Sequence, residues 1–164
     1  MLFVVNSKEV FESFNMFVYA IVFIFGLALG SFLNSWIWRY RENIRISRGR
    51  SICHGCHRQL RWYENIPALS YIFLGGHCRT CKIKIPAHFI LVEITTALLF
   101  VFVAWYHTNC FLTSNVPGYY TYCRDILFIS LLIIIFIYDY LYLIILSHIV
   151  WIGVGIGILF NFFI

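Results

Sequence analysis

Long apolar stretches govern what this chain can fold into. Met16 to Trp38 is almost wholly apolar, long enough for the ~20 residues a helix needs to cross a bilayer. It lacks a basic n-region and an A-x-A cleavage site and runs too long for the core of a signal peptide, so it reads as a retained span. Phe89 to Tyr106 is a second apolar run, interrupted by Glu93. From Ile126 to Ile164 the main polar interruptions are Asp139, Ser147, His148 and Asn161. One helix of that length would reach about 58 Å, nearly twice the hydrocarbon thickness, so two spans fit, with a break near Ile144 to His148. Only 12% of residues are charged, against about a quarter in soluble domains. The expected fold is an all-α integral membrane protein of about four transmembrane helices. Its spans are 16–38, 89–106, about 126–144 and 147–164, with a polar loop over 39–86 and a turn-rich loop over 107–124.

The charges orient these spans. Ten of the twelve Lys and Arg residues lie between Arg39 and Lys84, accompanied only by Glu42 and Glu64. A basic loop between two spans belongs in the cytoplasm by the positive-inside rule. That sets the N-terminus, loop 107–124 and the C-terminus outside. The same charge does not point to nucleic acid, because no stacking platform or recognition-helix pattern accompanies it.

Four cysteines sit in that loop. Cys53-His-Gly-Cys56 and Cys78-Arg-Thr-Cys81 form two C-x2-C pairs separated by twenty-one residues. Each pair can present two thiolates from one tight turn, and two facing turns complete a tetrahedron around zinc. A reducing cytoplasm disfavours the alternative of two disulfides; incidental or redox cysteines are the other alternative. Four ligands leave no open position, so this zinc would be structural. His54, His57 and His77 lie beside the ligands and could each replace one. Cys110 and Cys123 fall in the outer loop, where an oxidising compartment would allow a disulfide.

Two acids lie within spans, Glu93 and Asp139. Ionisable groups in lipid usually line a functional interior, though a carboxylate hydrogen-bonded within a helix bundle is the plainer reading. Glu93 lies roughly 9 Å and Asp139 roughly 8 Å from the cytoplasmic ends of their spans, so the two could meet at one level. Asp125, about 21 Å from Asp139 along the same helix, belongs at the outer surface. Aspartyl proteolysis needs two carboxylates, one acting as base on a water and the other protonated. Asp139 alone is half of that machinery.

Gly30-Ser31-Phe32-Leu33-Asn34, leading to Trp38-Arg39, resembles the opening motif of bacterial type IV prepilin peptidases. Ser51 to Cys56, Arg61 to Pro67 and Gly76 to Cys81 resemble their zinc loop, and Ile85-Pro86 and Leu91-Val92-Glu93 continue it into the second span. The resemblance covers roughly residues 20–100. It implies an N-terminal domain over 1–106, with Cys53, Cys56, Cys78 and Cys81 as metal ligands, and a partial aspartic peptidase domain over 125–164. Asp139, after Ile135-Phe136-Ile137-Tyr138, stands where the family has its first catalytic aspartate. Gly153-Val154-Gly155-Ile156 has the glycines of the family's Gly-x-Gly-Asp motif without the acid, so the chain is expected to stop before the second aspartate.

The resemblance implies a multi-pass protein of the bacterial inner membrane, bounded by membrane lipid, that cleaves leaders from prepilins or pseudopilins of type IV pilus or type II secretion systems. A partner subunit would supply the second aspartate. Many members also methylate the new N-terminus with S-adenosylmethionine, which here rests on resemblance alone. Other expectations are a non-catalytic remnant or partner subunit that binds pilin precursors, and a methyltransferase-only form. Gly30 and Asn34 read equally as helix-packing residues or as part of a substrate or cofactor site.

Overall fold

A computed structural model describes residues 7–44, 50–107, 116–143 and 147–162. Five α-helices account for most of them: α1 over Ser7–Arg41, α2 over Leu69–Phe73, α3 over His88–Tyr106, α4 over Val116–Tyr142 and α5 over Ser147–Phe162. Within α1, α3 and α4, Asn15–Arg41, His88–Tyr106 and Tyr119–Tyr142 are long and apolar enough to cross a membrane. Helix α5 is apolar but shorter, with 16 residues. Of the expected break over residues 144–148, Ser147 and His148 already belong to α5 and residues 144–146 lie outside the described residues.

Helix α1 extends the expected span at both ends. Its C-terminus closes on Asn43, whose φ of 55° is left-handed, while Ile44 N–H bonds back to the Arg39 carbonyl at 2.9 Å. Asn tolerates that region better than other residues with a Cβ. The expected loop over 107–124 is corrected in its second half, because α4 already begins at Val116. Pro117 and Gly118 read as turn residues. Pro in the first helical turn, however, gives up only an N–H that has no intrahelical partner.

Helices α1 and α3 pack antiparallel at very short range. A Cβ on Gly26 would lie 2.6 Å from Ala97 Cα, and one on Gly30 would lie 2.8 Å from Glu93 Cα. One turn further along α1, Asn34 Nδ2 donates to the Phe89 carbonyl at 3.0 Å. Each step of four residues up α1 is a step of four down α3. This is small-residue packing, in which absent side chains let two backbones approach where water supplies no driving force. Gly30 and Asn34 both take part in this packing. Asn34 is buried, and among the described residues its Oδ1 has no hydrogen-bond partner.

Helix α4 lays Ile137 and Tyr138 against Ile37 of α1, with Trp36 and Val92 around them. Helix α5 returns antiparallel along α4. A Cβ on Gly157 would meet the Phe128 ring at 3.3 Å, and Tyr120 meets Phe160 with centroids 5.4 Å apart.

Candidate metal centre and the cavity beside it

Residues 50–87 hold two turns of one design. Cys53 N–H bonds to the Arg58 carbonyl at 2.9 Å, and His57 N–H returns to the Cys53 carbonyl at 3.0 Å. Around them Ile52 bridges Gln59, and Leu60 N–H bonds to the Ser51 carbonyl at 2.7 Å. Every one of these bonds recurs around Cys78 at a constant offset: Cys78 to Ile83, Lys82 to Cys78, His77 with Lys84, and Ile85 to Gly76. Each turn needs a left-handed residue after its second cysteine, and both use residues with a Cβ, His57 at φ 55° and Lys82 at φ 56°.

The two turns bring the Sγ atoms of Cys53, Cys56, Cys78 and Cys81 all within 4.8 Å of one another. Cys53 and Cys81 Sγ are 3.8 Å apart. A tetrahedron with metal–sulfur bonds of ~2.3 Å has edges of about 3.8 Å, whereas a disulfide is ~2.05 Å long. All four cysteines are free. The set could hold a metal ion, and its donor type and spacing fit zinc. Backbone N–H groups of Cys81 and Thr80 draw the Cys78 thiol below its ordinary value.

An ion pair between half-buried Arg58 and buried Glu64 backs the centre. Arg58 grips Glu64 through two bonds of 2.9 and 2.8 Å, and its Nη2 also lies 3.9 Å from Cys78 Sγ. Arg58 holds Glu64 down at about 2, assisted by the Arg61 N–H. A guanidinium beside sulfur ligands offsets their negative charge and orients the Cys78 sulfur without itself reaching the ion. Neither residue stood out in the sequence, because nothing in their spacing relates them to the cysteines.

The histidines are not in the ligand cluster. His54 stacks on Trp38 of α1, with ring centroids 4.2 Å apart and an interplanar angle of 9°, and its ring lies 5.2 Å from that of Phe89. Desolvation, then the nearby His88, pushes the His54 pKa below its ordinary value. A neutral ring thus docks the first turn onto α1 and α3. His77 Nδ1 lies 2.6 Å from the Gly75 carbonyl.

Between the metal turns and the ends of α1 and α3 is a cavity of about 300 Å³, whose walls include Ser31, Trp38, Arg58, Ser70, Tyr71 and Glu93. Glu93 is buried and accepts the Ala68 N–H at 2.6 Å; Ser31 is a second hydrogen-bond partner. Ala68 is itself unusual, at φ 58° and ψ −48°, with Leu69 N–H bonding across it to the Pro67 carbonyl at 2.6 Å. That is the rare form of γ-turn, a strained conformation for a residue with a Cβ. Glu93 holds it in place. Replacing Glu93 with Leu is expected to leave that N–H unpaired at a cost of about 1–3 kcal/mol. Faster hydrogen exchange over 66–74 should report this, with the metal content unchanged.

Asp139 is not drawn into this cavity. Its neighbours Ile137 and Tyr138 pack with Val92, so the expected common level with Glu93 is present. The Asp139 side chain, however, is on an exposed face of α4, and among the described residues it has no hydrogen-bond or ion-pair partner. Asp125 sits at the other end of α4, where Asp125 Oδ2 lies 3.0 Å from His107 Nε2 and Asp125 Oδ1 accepts from Arg124 Nε at 2.9 Å. Cys123 is exposed on α4, and Cys110 lies outside the described residues.

A polytopic α-helical protein with a four-cysteine cluster that could hold a metal ion, docked on its first two spans, is the class that these features define. The bacterial peptidase A24 N-terminal domain matches residues 24–107, and the chain belongs to that family, the prepilin peptidases. It is 47% identical over 79 residues to a prepilin leader peptidase/N-methyltransferase of Myxococcus xanthus, a match covering 48% of this chain and 24% of the relative. The Vibrio cholerae protein of the same description is 36% identical over 102 residues, covering 57% and 40%. A type 4 prepilin-like proteins leader peptide-processing enzyme of Escherichia coli is 34% identical over 111 residues, covering 57% and 41%. The chain thus spans well under half the length of these relatives. No solved structure matches it.

Proposed function

We propose that this chain takes part in removing leader peptides from type IV prepilin-like proteins, as a membrane aspartic endopeptidase in which Asp139 supplies one catalytic carboxylate. The observation that carries this reading is the position of Asp139, three residues before the end of α4, on an open face at the level of the docked metal knot. A carboxylate about 5 Å from a helix end is within reach of a peptide in the aqueous phase. It can also be approached by a second carboxylate from another helix or subunit, which the chemistry requires. Glu93 is a poor candidate for that second group, since its carboxylate already holds the Ala68 N–H and faces the cavity.

Zinc is the proposed metal, and its role is structural. Cys53, Cys56, Cys78 and Cys81 would fill its coordination and leave no position for water or substrate. The clustering of basic residues in the loop supports a cytoplasmic location for the knot and, with the family, an inner-membrane location for the chain.

The test is leader cleavage of a prepilin by the zinc-loaded protein in liposomes. Asp139→Asn is expected to lower cleavage by about 10²–10⁴-fold, the usual loss for an acid–base group, without affecting insertion or zinc content. Full activity in that variant would remove Asp139 from the site. A second reading rests on the cavity. Its size lies at the low end for small-molecule sites, and Glu93 and the Trp38 ring suit a cationic methyl donor such as S-adenosylmethionine. Methyl transfer to a pre-cleaved pilin without cleavage of the precursor would select that reading.

A further inference from the structure

We infer that the segment Ile66–Phe73, though part of the polar loop between the first two spans, is a wedge inserted into the same bilayer those spans cross, with lipid as its partner.

Helix α2 is amphipathic in the reverse sense for a water-exposed loop. Its polar side faces inward, where Ser70 and Tyr71 line the cavity beside the metal turns. Its outward side carries Leu69, Ile72 and Phe73, which are 50, 64 and 84% exposed. In water this arrangement would leave three large apolar side chains largely unburied, against the hydrophobic effect. Against lipid it is the stable orientation.

Depth supports the same conclusion independently. The Ala68 N–H is bonded to Glu93, about 8 Å along α3 from its first residue, His88. Gly30 packs against the Glu93 backbone and lies about 12 Å along α1 from Trp38, where aromatic and basic residues mark the membrane boundary. Asn65 and Pro67 share a cleft with Ala28, Ser31 and Phe32 of the spanning part of α1. The base of α2 therefore lies at the ~5–10 Å depth typical of interfacial helices. In that setting the role of Glu93 is plain. A strained turn below the headgroups exposes a backbone N–H that water cannot satisfy, and the carboxylate from the neighbouring span accepts it.

Charge completes the picture. Phe73 borders a cleft with Arg79 and Lys82, and Tyr63 Oη accepts from both Arg61 and Arg79 at 2.9 Å. Cations beside the apolar tip are placed for the phosphates of anionic lipids, which attract basic residues near the membrane surface.

The test places p-benzoylphenylalanine at position 73, and separately at 72, in the full chain reconstituted in phosphatidylethanolamine–phosphatidylglycerol vesicles. Phe102, exposed on the membrane-spanning α3, and Gln59, exposed on the first metal turn, are the positive and negative controls. Irradiation is expected to give phospholipid adducts at 73, 72 and 102 and none at 59, in protein that retains its metal. Adducts at 102 with none at either 72 or 73 would overturn the proposal, and the outcome does not depend on whether the chain cleaves prepilins.

Discussion

Changing Cys78 to Ser is expected to reduce bound zinc to well below one per chain and to unfold residues 50–86, leaving α1 and α3 inserted. The segment has little else to hold it. Beyond Cys53 and Cys78, its buried residues are essentially the Glu64 carboxylate and Gly76, and its regular structure amounts to two isolated bridges, a 3-10 turn and a five-residue helix. Zinc binding on the order of 10 kcal/mol is folding energy for such a segment. Without it, four sulfurs within 4.8 Å become a source of repulsion whenever more than one ionises. Limited proteolysis should cut the variant between the cysteine pairs, and a strong chelator should do the same to the unaltered protein. Metal content that survives Cys78→Ser would refute the knot.

Gly26→Val and Gly30→Leu should each abolish the packing of α1 on α3. In both cases the atom that a Cβ would strike is a backbone Cα, at 2.6 and 2.8 Å, which no rotamer change can relieve. The helices would have to separate by an ångström or more, which breaks the Asn34 bond to Phe89 and moves Glu93 away from Ala68. Overpacking of this kind costs about 1–3 kcal/mol and more where the backbone must shift, so a marked drop in thermal midpoint in detergent is expected. Gly153→Ala is the internal control. Its Cβ would meet only Leu131 Cδ1, at an ordinary 3.6 Å, and its midpoint should be unchanged. Equal effects at all three positions would mean that close approach is not what Gly26 and Gly30 provide.

The convergence of the four cysteines was legible in the sequence because the two C-x2-C pairs each make one tight turn, and the two turns face each other with all four sulfurs within 4.8 Å. The spans were legible from length and apolarity. Which way Asp139 faces was not. In a water-soluble helix an apolar stripe marks the buried side, whereas in α4 Phe136 faces outward and Ile137 inward with equal hydrophobicity. The partner of Glu93 was equally hidden, because it is a main-chain N–H at a position where Ala gives no sign of a left-handed turn. The start of α4 was missed for a local reason, since Pro117 and Gly118 carry the composition of a turn and the position of a helix start.

The repeated design of the two metal turns bears on what lies between them. Because each turn is complete in itself, the chain from Leu60 to Gly75 leaves and re-enters at the same point, like a ring closed by a clasp. The entropy of closing such a ring grows only slowly with its length. Residues added to it away from Glu64 and Ala68 would therefore cost little in closure entropy and leave the hydrogen bonds of both turns as they are. Opening the clasp would convert the ring into a slack tether between the first two spans, and everything mounted on it would lose its place at once.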